Sequence, residues 1–436
     1  MRTAPVIKTV LFATEYYPPF APGGAEWTNA AWASALARHG CRVVVVTPNY
    51  GASPREERDG VTIVRVPFPV RLPEGSGETR WLVHRNPLFH RYFARHVAVT
   101  ARREGVDLIH AQKNGSLLGA WRAARACGLP IVVTVRDLGL LCPLGACTLF
   151  EPWTTFDCTR AQYAGRCVPF YLRHYATRHR SLRREALRAR LQLGWFNQSR
   201  LAAAMQHVNG FLGVSAGILA IHPERLVPSA RRRVVYPLCP SGSWPADGEV
   251  AEARERLGIP PGPLVLYAGK HSLGKGTAVL LDALAPIRAA VPGVRFAFAG
   301  KGEMALPATS DVHGLGPLPQ ATLFALYRAA DVVVVPSIWP EPMSRVIVES
   351  MWLGRSVVAT AVGGSPEAVQ DGVTGSLVPK GDAPALAAAV VALLRDPERR
   401  ALIGGAASTR AARMFGEESV VASLVDAYES LATRPA

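Results

Sequence analysis

The sequence predicts an α/β protein made of two doubly wound parallel sheets, and three observations carry that prediction. Short β-branched runs alternate with amphipathic stretches of helical period. That alternation occurs twice, in two halves of similar size. Between the halves lies Pro237-Leu-Cys-Pro-Ser-Gly-Ser-Trp-Pro-Ala-Asp-Gly248, whose Pro, Gly and Ser content marks a linker. A chain of 436 residues, 49% hydrophobic and 19% charged, is long enough for two or three globular domains with cores of their own.

In chain order, Thr9 to Thr14 reads as a strand, Ala25 to His39 as an amphipathic helix and Arg42 to Thr47 as a buried strand. Val61 to Val66, Asp107 to His110 and Ile131 to Val135 continue the first series, and Phe211 to Ser215 and Arg233 to Pro237 close it. The second series starts at Leu264 to Ala268 and continues through Arg295 to Ala299 and Val312 to Gly314. Asp331 to Val335 and Ser356 to Thr360 complete it. The expected domains are 1–240, 241–416 and a last helix from about Glu417 to Ala432.

Charge separates the halves. Residues 1–240 hold 32 Lys and Arg against 14 Asp and Glu, whereas residues 241–436 hold 17 against 19. The whole excess of +16 therefore sits in the first half, as expected of a domain that faces an anionic partner. A general preference for arginine explains the scarcity of lysine, which occurs six times, but not the asymmetry. No apolar run reaches the roughly 18 residues of a membrane span, and Lys8 interrupts what would be a signal-peptide core. The expected location is the cytoplasm.

The densest block of chemistry is Trp339-Pro-Glu341-Pro342-Met343-Ser344-Arg-Val-Ile-Val-Glu349-Ser-Met351. Proline favours the first helical position, so the spacing predicts a helix from about Pro342 to Gly354, with Glu341 at its mouth and Glu349 two turns in. At 1.5 Å per residue the two carboxylates would lie roughly 12 Å apart along the axis. The amides of Met343 and Ser344 would then face an anion. Two glutamates on an amphipathic helix are also common without any function. The surroundings decide: the buried strand Asp331-Val-Val-Val-Val-Pro-Ser337 precedes the block, and another strand and the turn Gly363-Gly364-Ser365-Pro366-Glu367 follow it.

This order resembles the donor site of the retaining family-4 glycosyltransferases, which have the two-domain GT-B fold with two Rossmann-like domains facing across a cleft. The resemblance covers nearly the whole chain. It implies transfer of a sugar from a nucleoside-diphosphate donor with retention of configuration. It places Glu341 under the transferred sugar and Glu349 on the ribose hydroxyls, and implies a last helix that crosses back to the first domain. The family carries Phe-Gly where this chain has Met343-Ser344, which bears on sugar selectivity.

Three further loops fit the same scheme. Gly23-Gly24-Ala25-Glu26 lies between the first strand and helix and resembles the family's Gly-Gly-x-Glu loop at the donor phosphates and acceptor pocket. Gly269-Lys270-His-Ser-Leu-Gly-Lys275 follows the first strand of the second half, where two lysines suit a diphosphate leaving group. The family has arginine at the place of Lys270, so the charge is kept and the bidentate fork is lost. Gly300-Lys301-Gly302 resembles the turn near the nucleotide base. No catalytic metal or cofactor is expected, since residues 241–436 contain no Asp-x-Asp pair.

The chain also departs from the family. Where most members carry a histidine beside the transferred sugar, it has Arg136, followed by Asp137. Arginine cannot serve as a base but can bind the leaving diphosphate or an acidic sugar or acceptor. His110, at a strand end on the same sheet edge, is an acceptor-side candidate with Glu26 and Asp137, or else a structural histidine. Cys142, Cys147, Cys158 and Cys167 fall within 26 residues and could hold a structural zinc, although the spacing lacks a C-x2-C knuckle and ordinary thiols fit as well.

The tract Tyr171 to Phe196 interleaves seven arginines with Leu172, Tyr175, Leu182, Leu187, Leu191, Trp195 and Phe196. It suits a helix lying on an anionic membrane, or one packed on its own domain, better than a nucleic-acid surface. Arg80 to Arg103 repeats the pattern loosely. The expected function is sugar transfer to a lipid-linked, saccharide or other acceptor. The alternatives are a nucleotide-sugar hydrolase or epimerase, and a non-catalytic binding protein of the same fold.

Overall fold

The computed structural model describes residues 7–21, 23–74, 86–145, 158–174, 181–239, 245–302 and 304–432. The chain forms two compact units, Met1–Leu238 together with Glu417–Ala436, and Cys239–Gly416. Each is organised around one sheet.

The first sheet contains β1 (Thr9–Ala13), β2 (Arg42–Pro48), β3 (Arg55–Arg58), β4 (Val61–Val66), β5 (Leu108–Ala111), β6 (Ile131–Val135), β7 (Gly210–Gly213) and β8 (Arg232–Val234). Their order across the sheet is β3-β4-β2-β1-β5-β6-β7-β8. All neighbours are parallel except β3 and β4. The inner strands are buried along their length, with Val10, Leu11, Phe12, Val43 to Val46, Ile109 and Val133 fully enclosed. That is why they are continuous apolar runs rather than alternating ones.

The second sheet holds β9 (Leu264–Ala268), β10 (Arg295–Ala299), β11 (Val312–Gly316), β12 (Val332–Val335), β13 (Ser356–Thr360) and β14 (Ser376–Val378). The order is β11-β10-β9-β12-β13-β14, and every pair is parallel. One core cluster, with Phe296, Phe298, Val334 and Leu386, packs one face, and another, with Leu266, Leu326 and Tyr327, packs the other.

In both sheets the strand order reverses once near the middle, between β1 and β5 and between β9 and β12. At such a switch point the loops leaving adjacent strands run to opposite faces and open a crevice at the carboxyl edge. Most candidate residues lie on the loops after β1, β6, β9, β10 and β12, with Glu26 and Glu349 near the starts of the helices that follow and His110 within β5. The last helix, Glu417–Ala432, packs within the first unit: Arg38 donates to Glu417 from the first helix, and Tyr428 meets His110 behind β5.

Two strands escape the sequence pattern. β3 is Arg-Glu-Glu-Arg, an exposed antiparallel edge with no apolar face, and β14 spans three residues. The predicted helix at Pro342 also begins later, at Arg345, and ends at Trp352. Residues 240–244 of the linker lie outside the described residues, and the helix Asp247–Arg256 already begins inside that stretch.

Candidate active site

In the second unit, Glu341 lies outside the helix, on the segment between β12 and Arg345–Trp352. The 12 Å spacing along one helix axis therefore does not apply, and Glu349 stands little more than one turn in. Met343 and Ser344 are buried in the approach to the helix, and Ser344 is its N-cap. The amides without an intrahelical partner are consequently those of Ser344, Arg345, Val346 and Ile347, so Ser344 keeps its place among them and Met343 does not.

What the late start provides is a carboxylate on a bent, non-helical segment, fixed from several sides. Lys275 Nζ donates to both Glu341 oxygens at 2.6 Å, Trp339 Nε1 to Oε2 at 2.8 Å and Ser337 Oγ to Oε2 at 3.1 Å. Lys275 also sits 5.2 Å from the centre of the Trp339 ring. The backbone is braced as well. Gly364 N–H donates to Glu341 O, and a side chain on Gly363, whose φ is +54°, would place its Cβ 2.0 Å from that same oxygen. This contact explains the glycine at 363.

Glu349 is 4% exposed and receives Arg345 Nε and NH2 at 3.0 and 2.6 Å, one turn away. Burial pushes its carboxyl above the usual range, against the pull of Arg345. The ribose role expected for Glu349 therefore requires sharing the carboxylate with Arg345. Of the two loop lysines, Lys270 is exposed, while Lys275 is half-buried and committed to Glu341.

Gly300 and Gly302 of the second unit are required by close backbone packing. Gly269 N–H donates to Ala299 O and His271 N–H to Lys301 O, so the loops after β9 and β10 are laced together. A Cβ on Gly300, at φ +133°, would come within 2.0 Å of Gly269 O, and one on Gly302 within 2.0 Å of His271 O. Glu303, beside that turn, lies outside the described residues.

In the first unit Gly23 is extended at φ −166° and caps the helix Gly24–Arg38. Glu26, in its first turn, is 1% exposed and bonds Lys113 Nζ at 2.7 Å. Burial alone would lower Lys113, but Glu26, Glu15 and Asp137 outweigh it and hold the ammonium charged. Asp137 accepts Gly139 N–H at 2.7 Å, and burial raises its carboxyl despite Lys113. Arg136 lies with its guanidinium carbon 4.6 Å from the centre of the Trp32 ring and donates to Asn29 Oδ1 and Gln112 Oε1. Burial lowers it to about 10, so it remains a cation at neutral pH.

His110 is not on the acceptor side. It is fully buried, with Nδ1 on Tyr428 OH at 2.9 Å and Nε2 on Thr134 Oγ1 at 2.6 Å, among the rings of Phe12, Trp32 and Tyr428. Its strand position turns it into the core, and burial holds it neutral, well below the ordinary imidazole range.

For the cysteines, Cys147 lies outside the described residues. Cys142 and Cys167 pack against an apolar cluster of Tyr163, Val168, Leu172 and Leu191, while Cys158 is exposed. Among the described residues no three His, Cys, Asp or Glu side chains form a metal-sized group.

The basic tract turns only part of its apolar side inward, and Arg173, Arg183 and Arg188 are exposed. Leu172, Leu187, Leu191 and Trp195 join the Tyr163 cluster, which leaves Leu193 and Phe196 exposed on the helix Ser181–Met205. Tyr175 and the tract before Asn86 lie outside the described residues, as does the Leu182 side chain.

Sequence analysis missed Ser337, Trp339, Arg345, Lys113, Asn29, Gln112 and Trp32. Ser337, Trp339 and Glu341 are spaced two residues apart just past the end of β12, so that spacing was the available signal. Gln112 and Lys113 directly follow a strand end at the ligand edge, which was another.

Two family models match this chain: a glycosyltransferase 4-like domain over residues 23–237 and glycosyltransferases group 1 over residues 262–396. The chain belongs to the group 1 glycosyltransferase family. A D-inositol 3-phosphate glycosyltransferase of Xylanimonas cellulosilytica is 39% identical over 209 residues, 44% of this chain and 49% of that protein. A phosphatidyl-myo-inositol mannosyltransferase of Mycobacterium leprae is 34% identical over 192 residues, 42% of this chain and 51% of that one. The chain thus spans about half the length of the curated relatives it matches.

Among solved structures, Anabaena HepE in complex with UDP-glucose matches 97% of this chain and 100% of its own, with a TM-score of 0.67 and 20% identity. Sucrose-phosphate synthase of Thermosynechococcus elongatus matches 97% and 99%, with a TM-score of 0.68 and 21% identity. These likenesses establish the fold, which is GT-B.

Proposed function

We propose that this family member transfers a sugar from a nucleoside-diphosphate donor, bound by the second unit, to an acceptor taken by the first, with retention of configuration. The observation that carries the proposal is the four-point hold on Glu341 at the switch point of the second sheet. A carboxylate fixed to within one rotamer by a lysine, an indole N–H and a hydroxyl suits a group that positions a sugar. Lys275, with Lys270 on the same loop, supplies positive charge for a departing diphosphate, as the amides of the first helical turn also do.

In this reading Glu341 orients the transferred sugar, Lys275 and Lys270 stabilise the leaving group, and Glu349 with Arg345 holds the ribose. The acceptor hydroxyl attacks the face from which the diphosphate leaves, and the departing phosphate oxygen takes its proton. Arg136 stands in the first unit where the family has histidine, and it cannot take that proton. No metal is assigned a step. The acceptor is proposed to be lipid-linked, in line with the printed name of the phosphatidyl-myo-inositol mannosyltransferase relative. Exposed Leu193 and Phe196 on an arginine-rich helix support peripheral docking at the cytoplasmic membrane face. No helix among the described residues is long and apolar enough to cross a membrane.

Proton NMR of the product, formed from an α-linked nucleotide sugar in EDTA with anionic vesicles present and absent, tests the reading. An α-linked product in EDTA is expected. A β-linked product, or turnover restored only by a divalent cation, would overturn retention or metal independence. Equal rates with and without vesicles would remove the membrane from the proposal.

A further inference from the structure

At the carboxyl edge of the first sheet, three side chains meet whose hydrogen-bond donors outnumber their acceptors. Asn29 and Gln112 are each 0% exposed, and both turn their amide oxygens to the Arg136 guanidinium. That orientation is fixed, because Arg136 has only donors to offer and a flipped amide would set N–H against N–H. The amide nitrogens are left over. Asn29 Nδ2, Gln112 Nε2 and Arg136 Nε are all enclosed and without a hydrogen-bond partner. A buried donor left unmatched is costly, so three together point to an oxygen-rich ligand that the site is built to receive.

The rest of the arrangement keeps the donors in place. Gln112 Oε1 also accepts from Thr134 Oγ1, which meets His110, which meets Tyr428 on the last helix. Trp32 supports the guanidinium from one side. Nearby carboxylates are already engaged: Glu26 by Lys113, and Asp137 by the Gly139 amide.

We infer that Arg136, Asn29 and Gln112 form an oxyanion subsite that selects a carboxylate or phosphate group on the acceptor. Arg136 is then the specificity-determining residue of this chain, and its replacement of histidine trades a neutral sugar contact for recognition of an acid. The inference rests on the transferase reading only for naming the ligand an acceptor. The donor cluster itself belongs to the first unit.

The test is a calorimetric titration with inorganic phosphate, and separately with acetate, in a Lys270→Ala/Lys275→Ala background that removes the loop cations of the second unit. Saturable phosphate or acetate binding is expected, weakened at least tenfold by Arg136→Gln and less by Arg136→Lys, which keeps the charge without the fork. Gln112→Met, which keeps volume but removes the amide, both its N–H donors and the oxygen that accepts from Arg136, should weaken it several-fold while Arg136 remains. Binding that is absent, or equal in all variants with matching circular dichroism spectra, would show that the donors hold only water and would overturn the inference. UDP binding by the unsubstituted protein is measured alongside. Its failure would remove the donor reading and leave the oxyanion result standing.

Discussion

The two sheet edges treat charge in opposite ways. At the second unit's switch point every central charge has a partner: Lys275 with Glu341, and Arg345 with Glu349. At the first unit's edge Glu26 and Lys113 pair, but Arg136 sits on an indole between two amides, with donors to spare. A site whose charges are already paired can be organised before its ligand arrives, and binding then exchanges one set of partners for another. A site with surplus buried donors is completed only by what it binds. The first arrangement suits a donor whose chemistry is shared across a family. The second suits an acceptor particular to one chain.

The strongest way to break this comparison is to unpair the second site. Glu341→Gln and Lys275→Ala should each lower turnover about 100-fold or more, since each removes preorganised charge at the reacting centre. The double variant should lose much less than the product of the two, because the residues act as one unit. Steady-state rates of nucleoside-diphosphate release check this, and full additivity would mean that the contact is incidental.

His110 sharpens the contrast from the first unit. His110→Ala leaves Tyr428 and Thr134 without their shared partner and should cost roughly 2–3 kcal/mol of stability. Denaturant titration measures that loss. A variant of unchanged stability and abolished turnover would return His110 to the reacting groups.

Trp339→Phe keeps the ring beneath Lys275 and removes one hydrogen bond to Glu341, worth about 1 kcal/mol. Rates should fall roughly fivefold through kcat more than KM, because positioning rather than affinity is lost.

The smallest effect concerns pH. Glu349 is held above the usual carboxylate range by burial, so its contribution to stability is complete below the unfolded value and is lost as pH rises through the folded one. Glu349→Gln should flatten the thermal melting profile just above the ordinary glutamate range. In Arg345→Ala the decline should steepen and move to higher pH, as the counter-charge is gone. A profile that rises through this window instead would reverse the sign of the shift.

Much of this was legible in the sequence. Buried parallel strands are long β-branched runs, and Val43 to Val46 or Val332 to Val335 can hardly form anything else. Glu341, Glu349, Lys275 and Arg136 could be found because the blocks that carry them resemble the family's donor-site and sugar-contact motifs, most of them on the loops that follow strands. What could not be read was direction and partnership. Pro342 signalled a helix start, but the chain stays irregular until Arg345, which moves Glu341 off the helix and onto the segment that also carries Ser337 and Trp339. His110 and Gln112 lie two residues apart at the end of β5, yet one serves the core and the other the sheet edge. β3 was hidden because an exposed edge needs no apolar side chains.

The central claim, that the second unit is a nucleotide-sugar site built on Glu341, Lys275 and Glu349, is tested most directly by offering the purified protein a panel of UDP-, GDP- and ADP-sugars and measuring release of the nucleoside diphosphate, with lipid extract present and absent. Release from one donor, abolished in Glu349→Ala and in Glu341→Gln, is the predicted result. Silence across the whole panel, with no donor raising the melting temperature of the protein, would contradict it.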